Sequence, residues 1–374
     1  MTADVEGMIT YEALADATLE YGLLPAVVPQ LKTITIGGAV SGLGIESSSF
    51  KYGLVHETVD SMEILTGNGN IVSCSASRNP DLFFGFPNSY GTLGYALRLT
   101  IRLVPALSYV YLTHTRFAAP QDFFAHLAGL CEQLSTDFVD GTIFGADEMY
   151  ITEAAFADGA SEVVSDYTYM DIYYRSITRK ENDWLTARGY IWRWDTDWFW
   201  CSKHFGVQQP AIRLFAKAAL NSRTYQRVMC LSQKLLPASA GWESVIQDVD
   251  VPVARGAEFC EFLLREIGIS PVWVCPFRSS ARRYDLCPLG PNQLYVNFGF
   301  WDTVPTTHES GHYNRMIERK IAELGGVKGL YSASYYDRET FWSIYDRPAY
   351  ERLKRRYDPD GVFPDFYAKC VERK

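Results

Sequence analysis

The stretch that most constrains this chain is residues 33–53, TITIGGAVSGLGIESSSFKYG. Four β-favouring residues, Thr33, Ile34, Thr35 and Ile36, read as a strand running into Gly37 and Gly38. Gly42, Gly44 and the run Ser47, Ser48, Ser49 follow, and Tyr52 and Gly53 close the segment. Glycine lets a backbone approach a ligand closely and adopt positive φ. Successive N–H groups in such a loop form an anion-binding concavity, and serine hydroxyls add donors. Read that way, the segment cradles a pyrophosphate without a cation. Read otherwise, it is a Gly/Ser surface loop between strands, and the glycine pattern alone does not decide between the two.

Composition narrows the classes. The chain has 374 residues, enough for two domains, with 47% hydrophobic and 21% charged residues, which is globular composition. A net charge of -9 argues against a nucleic-acid binder, whose affinity rests on cationic contacts to phosphates. The supply of 24 Tyr, 21 Phe and 9 Trp suits a large apolar pocket, although aromatics also fill cores. Eight cysteines are scattered with no C-x-x-C pair, which fits a reduced, cytoplasmic protein. No apolar run is long enough for a transmembrane helix.

The flanking sequence is more specific than the glycines. TxGGxxxxxG followed by SSxxYG resembles the second part of the FAD-binding domain of the vanillyl-alcohol-oxidase-like (PCMH-type) flavoproteins. The wording GIESSS-KYGL is similar to the delta-24 sterol reductase branch of that family. Islands at SYGTLG (89–94), SPVWVCPF (270–277), YDRETFW (336–342) and FPDFYAK (363–369) agree with it, so the resemblance covers nearly the whole sequence. It implies an α+β fold: residues 1–107 as the second part of the FAD domain, 108–330 as a cap or substrate domain on an antiparallel sheet, and 331–374 packing back on the FAD domain. Thr35, Gly37, Gly38, Gly42, Gly44, Ser47, Ser48, Ser49, Tyr52 and Gly53 would then hold FAD, with Gly91, Thr92, Leu93 and Gly94 near its adenine end. The βα units that precede this region in the family stand outside the sequence. The start codon is misassigned, the gene is truncated, or the protein works without that part; as it stands the protein is expected to bind FAD weakly and to associate with itself or a partner.

Elsewhere the pattern is local. Leu14, Ala17, Thr18 and Tyr21 have helical spacing over 11–21, ended by Gly22. Residues 59–65 and 70–74 flank Gly67-Asn68-Gly69 as a hairpin. Residues 79–86 read as a helix, 91–104 as a half-buried strand, 121–134 as an amphipathic helix, 167–174, 272–276 and 293–299 as strands, and 316–324 as a helix.

Several constellations could carry chemistry. Residues 190–200, YIWRWDTDWFW, hold Trp192, Trp194, Trp198 and Trp200, either an aromatic wall for a polycyclic or isoprenoid substrate or lipid, or a core strand. His308-Glu309-Ser310-Gly311-His312 matches H-E-x-x-H, but Ser310 and Gly311 are poor helix formers and no third ligand is apparent, so no metal is expected. Arg278, at a strand end, could face a flavin carbonyl or pair on the surface. In KRRYDPDGVF (354–363) the resemblance implies that Arg356 lies near the flavin pyrimidine, where its charge would stabilise the anionic reduced ring; a basic helix C-terminus is the other reading. An alkene reduction also needs a proton donor, and Tyr335, Tyr336, Asp337 and Tyr295 are candidates by region.

The resemblance implies an FAD-dependent oxidoreductase that reduces a C=C double bond in the side chain of a sterol-like or isoprenoid lipid, with NADPH as hydride donor and peripheral membrane contact. The rivals are an FAD-linked oxidase of a sugar or polyol CH–OH group and a non-catalytic remnant or binding subunit.

Overall fold

The computed structural model describes residues 1–235 and 241–373. Its frame is two antiparallel sheets, and the α+β class stands. The first holds β1 (Thr2–Glu6), β2 (Leu23–Pro25), β3 (Val59–Leu65), β4 (Ile71–Ser75) and β5 (Tyr95–Pro105), in the order β1-β5-β3-β4 with β2 also on β5. The hairpin joining β3 and β4 forms where the glycines permit it: Gly69 has φ +79 and Thr66 N donates to Asn70 O at 2.9 Å.

The second sheet has eight strands: β6 (Tyr109–Phe117), β7 (Phe138–Gly145), β8 (Glu148–Ala157), β9 (Asn182–Thr186), β10 (Trp242–Pro252), β11 (Val272–Arg278), β12 (Leu294–Pro305) and β13 (Val327–Lys328). Their order is β13-β10-β12-β11-β7-β8-β6-β9. On β10, Val245, Val249 and Val251 face a core completed by the helices Pro120–Gln133, Gly256–Phe262 and His312–Glu323, through Phe123, Phe259 and Ile317. Side chains alternate along a strand. The even-numbered residues of β10 therefore point to the opposite face, where the site lies.

The C-terminal segment lies against the first sheet. Asp358 sits against Gly67 and accepts from Val362 N and Phe363 N at 2.8 and 3.0 Å, while Lys354 Nζ reaches Thr92 O at 2.8 Å.

Three local expectations are corrected. Thr33 to Ile36 do not form a strand. Only Thr35 makes a bridge, to Thr10, and it then caps the helix Ile36–Ser41 by accepting from Gly38 N at 3.2 Å. The capping hydroxyl satisfies a donor that a strand would leave to a partner, and it overrides β propensity. Residues 167–174 are not a strand either; an aspartate turn at Asp166 (Thr168 N to Asp166 Oδ1, 2.8 Å) leads into the helix Tyr173–Ile177. Residues 190–200 leave the helix Ala187–Ile191 and continue as turns, with φ of 45 and 60 at Trp198 and Phe199, which no strand accommodates.

Candidate functional site

A cavity of about 840 Å³ lies between the glycine segment and the open face of the second sheet. One wall is Gly38, Ala39 and the run from Ser41 to Glu46, with Tyr90. The opposite wall is Asp248 and Asp250 of β10, Trp273 of β11, Asn297 and Trp301 of β12, and Tyr331 beyond β13. Trp198, Phe199, His204, Phe205, Gln226 and Met229 close a third side. Four non-glycine residues with positive φ, Leu43, Tyr90, Trp198 and Phe199, all line it. Such conformations cost of order 1–3 kcal/mol each and cluster at functional sites.

The glycine wall offers close approach more than free donors. The N–H groups of Gly37, Gly38, Ala39, Gly42 and Gly44 all bond within the protein, to Gly7 O, Thr35 Oγ1, Thr35 O, Gly38 O and Ala39 O. A Cβ at Gly38 would meet only Thr35 Oγ1, at 3.0 Å, so its open side is the cavity. Gly37 is instead pressed on Gly7 O, and Gly44 fills a gap between Ala39, Val55 and Pro29. The serine hydroxyls are also engaged internally. Ser47 Oγ donates to Glu46 Oε1 at 2.6 Å, Ser48 Oγ to Ala26 O at 2.8 Å, and Ser49 Oγ accepts from Glu46 N at 3.1 Å. Tyr52 faces a small separate cleft beside Phe138 and Tyr190. Gly53 (φ +78) closes on Glu57, and Gly94 (φ +144) backs on Leu65 O. Gly91 also has positive φ, and Thr92 and Leu93 are fully buried. That turn sets Tyr90 at the cavity, where its Oη accepts from Leu330 N at 3.0 Å.

Glu46 joins the glycine wall to a buried ionic cluster. Arg193 Nη2 lies 2.7 Å from Asp140 Oδ2 and 3.4 Å from Glu46 Oε1, with its guanidinium 3.9 Å from the Tyr190 ring centre. Gln30 Nε2 donates to Glu46 Oε1 at 2.5 Å, and Trp273 Nε1 to Asp140 Oδ2 at 3.1 Å. One cation serves two carboxylates. Burial raises the Glu46 pKa, and Arg193 opposes the rise.

The sheet wall is set differently. Burial pushes Asp248 up to about 6 and Asp250 up to about 7. Asn297 Nδ2 donates to Asp250 Oδ1 at 2.8 Å, while Asn297 Oδ1 is buried without a partner. Trp301 Nε1 donates to Tyr331 Oη at 2.9 Å, and the Asp248 carboxylate is near enough to Tyr331 to act on its charge. The Tyr331 side chain is half exposed; desolvation of its hydroxyl where it lines the cavity, with the nearby Asp248 charge, raises its pKa above the ordinary value. Lys328 borders the cavity, but its ammonium is committed to Glu318 at 2.9 Å.

The candidate catalytic residues lie elsewhere. Arg356 pairs with Asp81 at 2.8 Å on the surface. Arg278 pairs with Glu132 and reaches Asn292 O. Tyr335 packs against Gly311 under the Arg315 guanidinium. Tyr295 stacks on Phe277, the Tyr336 carbonyl accepts from Tyr367 Oη, and Asp337 caps the helix Arg338–Ile344. Of the four tryptophans, Trp192, Trp194 and Trp200 are core and Trp198 reaches the cavity. Gly311 (φ +79) starts its helix at His312, which leaves His308 outside it. The two imidazoles stack at 3.9 Å, and no group of three metal-ligating residues occurs among the described residues. Asp248 and Asp250 were missed, although the alternation Asp248-Val249-Asp250-Val251 is the signature of a strand with one polar face.

Residues 1–75 match the FAD binding domain family. The chain is 28% identical to the delta(24)-sterol reductase of Homo sapiens over 98% of its own length and 74% of that protein. It is 24% identical to the delta(24)-sterol reductase of Arabidopsis thaliana over 99% of its length and 73% of the relative. Cytokinin dehydrogenase 1 of Arabidopsis thaliana is 31% identical over 37% of this sequence and 24% of its own length. Among the described residues no helix is long and apolar enough to cross a membrane. The protein has an FAD binding domain at residues 1–75 and is, along nearly all its length, a homologue of the delta(24)-sterol reductases.

Proposed function

We propose that this protein is an FAD-dependent oxidoreductase that reduces a carbon–carbon double bond in the side chain of a sterol-like lipid, with NADPH as the source of reducing equivalents. The observation that carries the reading is the cavity. It has the glycine segment of the FAD binding domain on one wall and an aromatic and carboxylic sheet face on the other. Its volume is in the upper part of the ~300–1,000 Å³ range of small-molecule and cofactor sites.

The residues fit such a cofactor. Gly38 is open on the cavity side, and the buried, unpartnered Asn297 Oδ1 and Glu46 Oε2 border the same space. Gly38 and Gly42 would let the cofactor lie close against the backbone. Thr35, Gly37, Gly44 and Ser47 to Ser49 would hold the loop in shape, as would Gly53 and the Gly91–Gly94 turn, through the internal bonds described above. Trp198, Phe199 and Phe205 would cover the apolar part and exclude water.

A bound, reduced flavin would supply hydride to one alkene carbon, which leaves the second carbon in need of a proton. We assign that proton to Tyr331 Oη. Trp301 Nε1 fixes this oxygen and stabilises the charge it gains as its proton leaves. The neighbouring Asp248, with its pKa raised to about 6, can return the proton. The reading is tested anaerobically with purified protein. NADPH should bleach the flavin bands, and a sterol with an unsaturated side chain should restore them. With FAD supplied in excess, flavin that NADPH leaves unbleached, or bleached flavin that the sterol leaves unchanged, overturns it; restoration by an aldonolactone instead would favour the CH–OH oxidase.

A further inference from the structure

We infer that the outer face of residues 210–228 docks on an anionic lipid bilayer. The acidic residues of the sequence number 44 in 374, yet none occurs from residue 198 to 242, a stretch containing Lys203, Arg213, Lys217, Arg223, Arg227 and Lys234. In a protein of net charge -9 this is a local inversion of sign.

The same stretch exposes apolar side chains. Phe215 is 88% exposed, Leu214 55%, and Ile212 and Val228 44% each. Arg213 is buried and bonds both oxygens of Asp197 at 2.8 Å, which fixes the short helix Pro210–Phe215 with Leu214 and Phe215 outward. Large apolar groups fixed in water and flanked by exposed Lys217 and Arg227 match a bilayer surface. The rings recover apolar surroundings, and the cations meet lipid phosphates and carboxylates. Lys203 and Arg223 contribute less, since they pair with Asp302 at 2.7 Å and Glu12 at 3.2 Å.

The surface adjoins the cavity. On the helix Ser222–Leu235, Arg223, Arg227 and Val228 face outward, whereas Gln226 and Met229 line the cavity. Tyr225 stacks on Phe205 at 5.2 Å and ties the helix to the cavity wall. A sterol-like substrate would then pass from the bilayer to the cavity without crossing water. This second step rests on the proposed function; docking does not.

The test is flotation of the purified protein with vesicles of phosphatidylcholine alone and of phosphatidylcholine with phosphatidylserine. Binding is expected to the anionic vesicles and to weaken with salt. Lys217→Glu with Arg227→Glu, and separately Leu214→Ser with Phe215→Ser, should each reduce binding by at least about tenfold. All four side chains are exposed and outside the cavity, so reduction of sterol supplied in detergent should be unchanged. No binding to anionic vesicles, equal binding to neutral ones, or binding that survives both variants overturns the proposal. Docking without sterol reduction would leave it standing and remove the enzymatic reading.

Discussion

The two walls of the cavity both carry carboxylates, fully buried on the glycine wall and half-buried on the sheet wall, in opposite electrostatic settings. On the glycine wall, Glu46 and Asp140 share Arg193; burial works against its charge, and Tyr190, Asp140, Tyr173 and Glu46 outweigh it and hold the guanidinium charged. On the sheet wall, Asp248 and Asp250 meet an asparagine, a tyrosine and, behind it, a tryptophan; burial raises both carboxyls toward neutrality. The first arrangement holds structure: breaking it leaves charge stranded in a core. The second can change protonation near neutral pH, which a proton-delivering site needs.

The largest effect should come from Arg193→Met. It leaves two buried carboxylates without their cation and is expected to cost about 3–5 kcal/mol in urea denaturation. A loss below about 1 kcal/mol would erase the distinction between the walls. Tyr331→Phe keeps the ring and removes the hydroxyl. Sterol turnover should fall by roughly 10²-fold or more with stability little changed. An equal fall in a variant of the surface-paired Arg356 would deny the sheet wall its special role.

Gly38→Val probes the glycine wall directly. Its φ is not positive, and a Cβ there would meet only the Thr35 hydroxyl, at 3.0 Å, so the fold should survive the change with a small loss at the helix cap while flavin occupancy drops at least about tenfold. Undiminished flavin absorbance per protein would count against the cradle. The smallest effect concerns pH. Asp248 and Asp250 have folded pKa values, about 6 and about 7, above their ordinary 3.8. The folded state therefore binds more protons than the unfolded state between roughly pH 4 and 7. These groups stabilise most below that window, and stability is lost as pH rises through it. Asp250→Asn should thus raise the melting temperature more at pH 8 than at pH 5. A gain independent of pH would show that Asp250 does not titrate in this window.

Much of the first wall was legible because its causes are local. Gly38, Gly42 and Gly44 stand out in any reading, and the hairpin at Gly67-Asn68-Gly69 follows from residues adjacent in sequence. Even there the local rule was incomplete. Thr35 became a helix cap instead of a strand residue, and the serines, read as ligand donors, bond to Glu46 and Ala26. Whether a hydroxyl faces a ligand or its own loop depends on packing from distant residues.

From the amino-acid order alone came the glycine segment, its likeness to an FAD domain, the α+β class and the strands and helices with clear periods. A glycine or a period acts through its own backbone and needs no partner to be read. Tertiary structure decided which side chains share the site. Asp248, Trp301 and Tyr331 lie far apart in sequence and meet because β10 pairs antiparallel with β12, Asp248 opposite Gly299, and because Gly329 N bonds Asp248 O at 2.8 Å. A period of two says that Asp248 and Asp250 share a face. It does not say which element covers that face, because register and sheet order are set by contacts between segments and not within them.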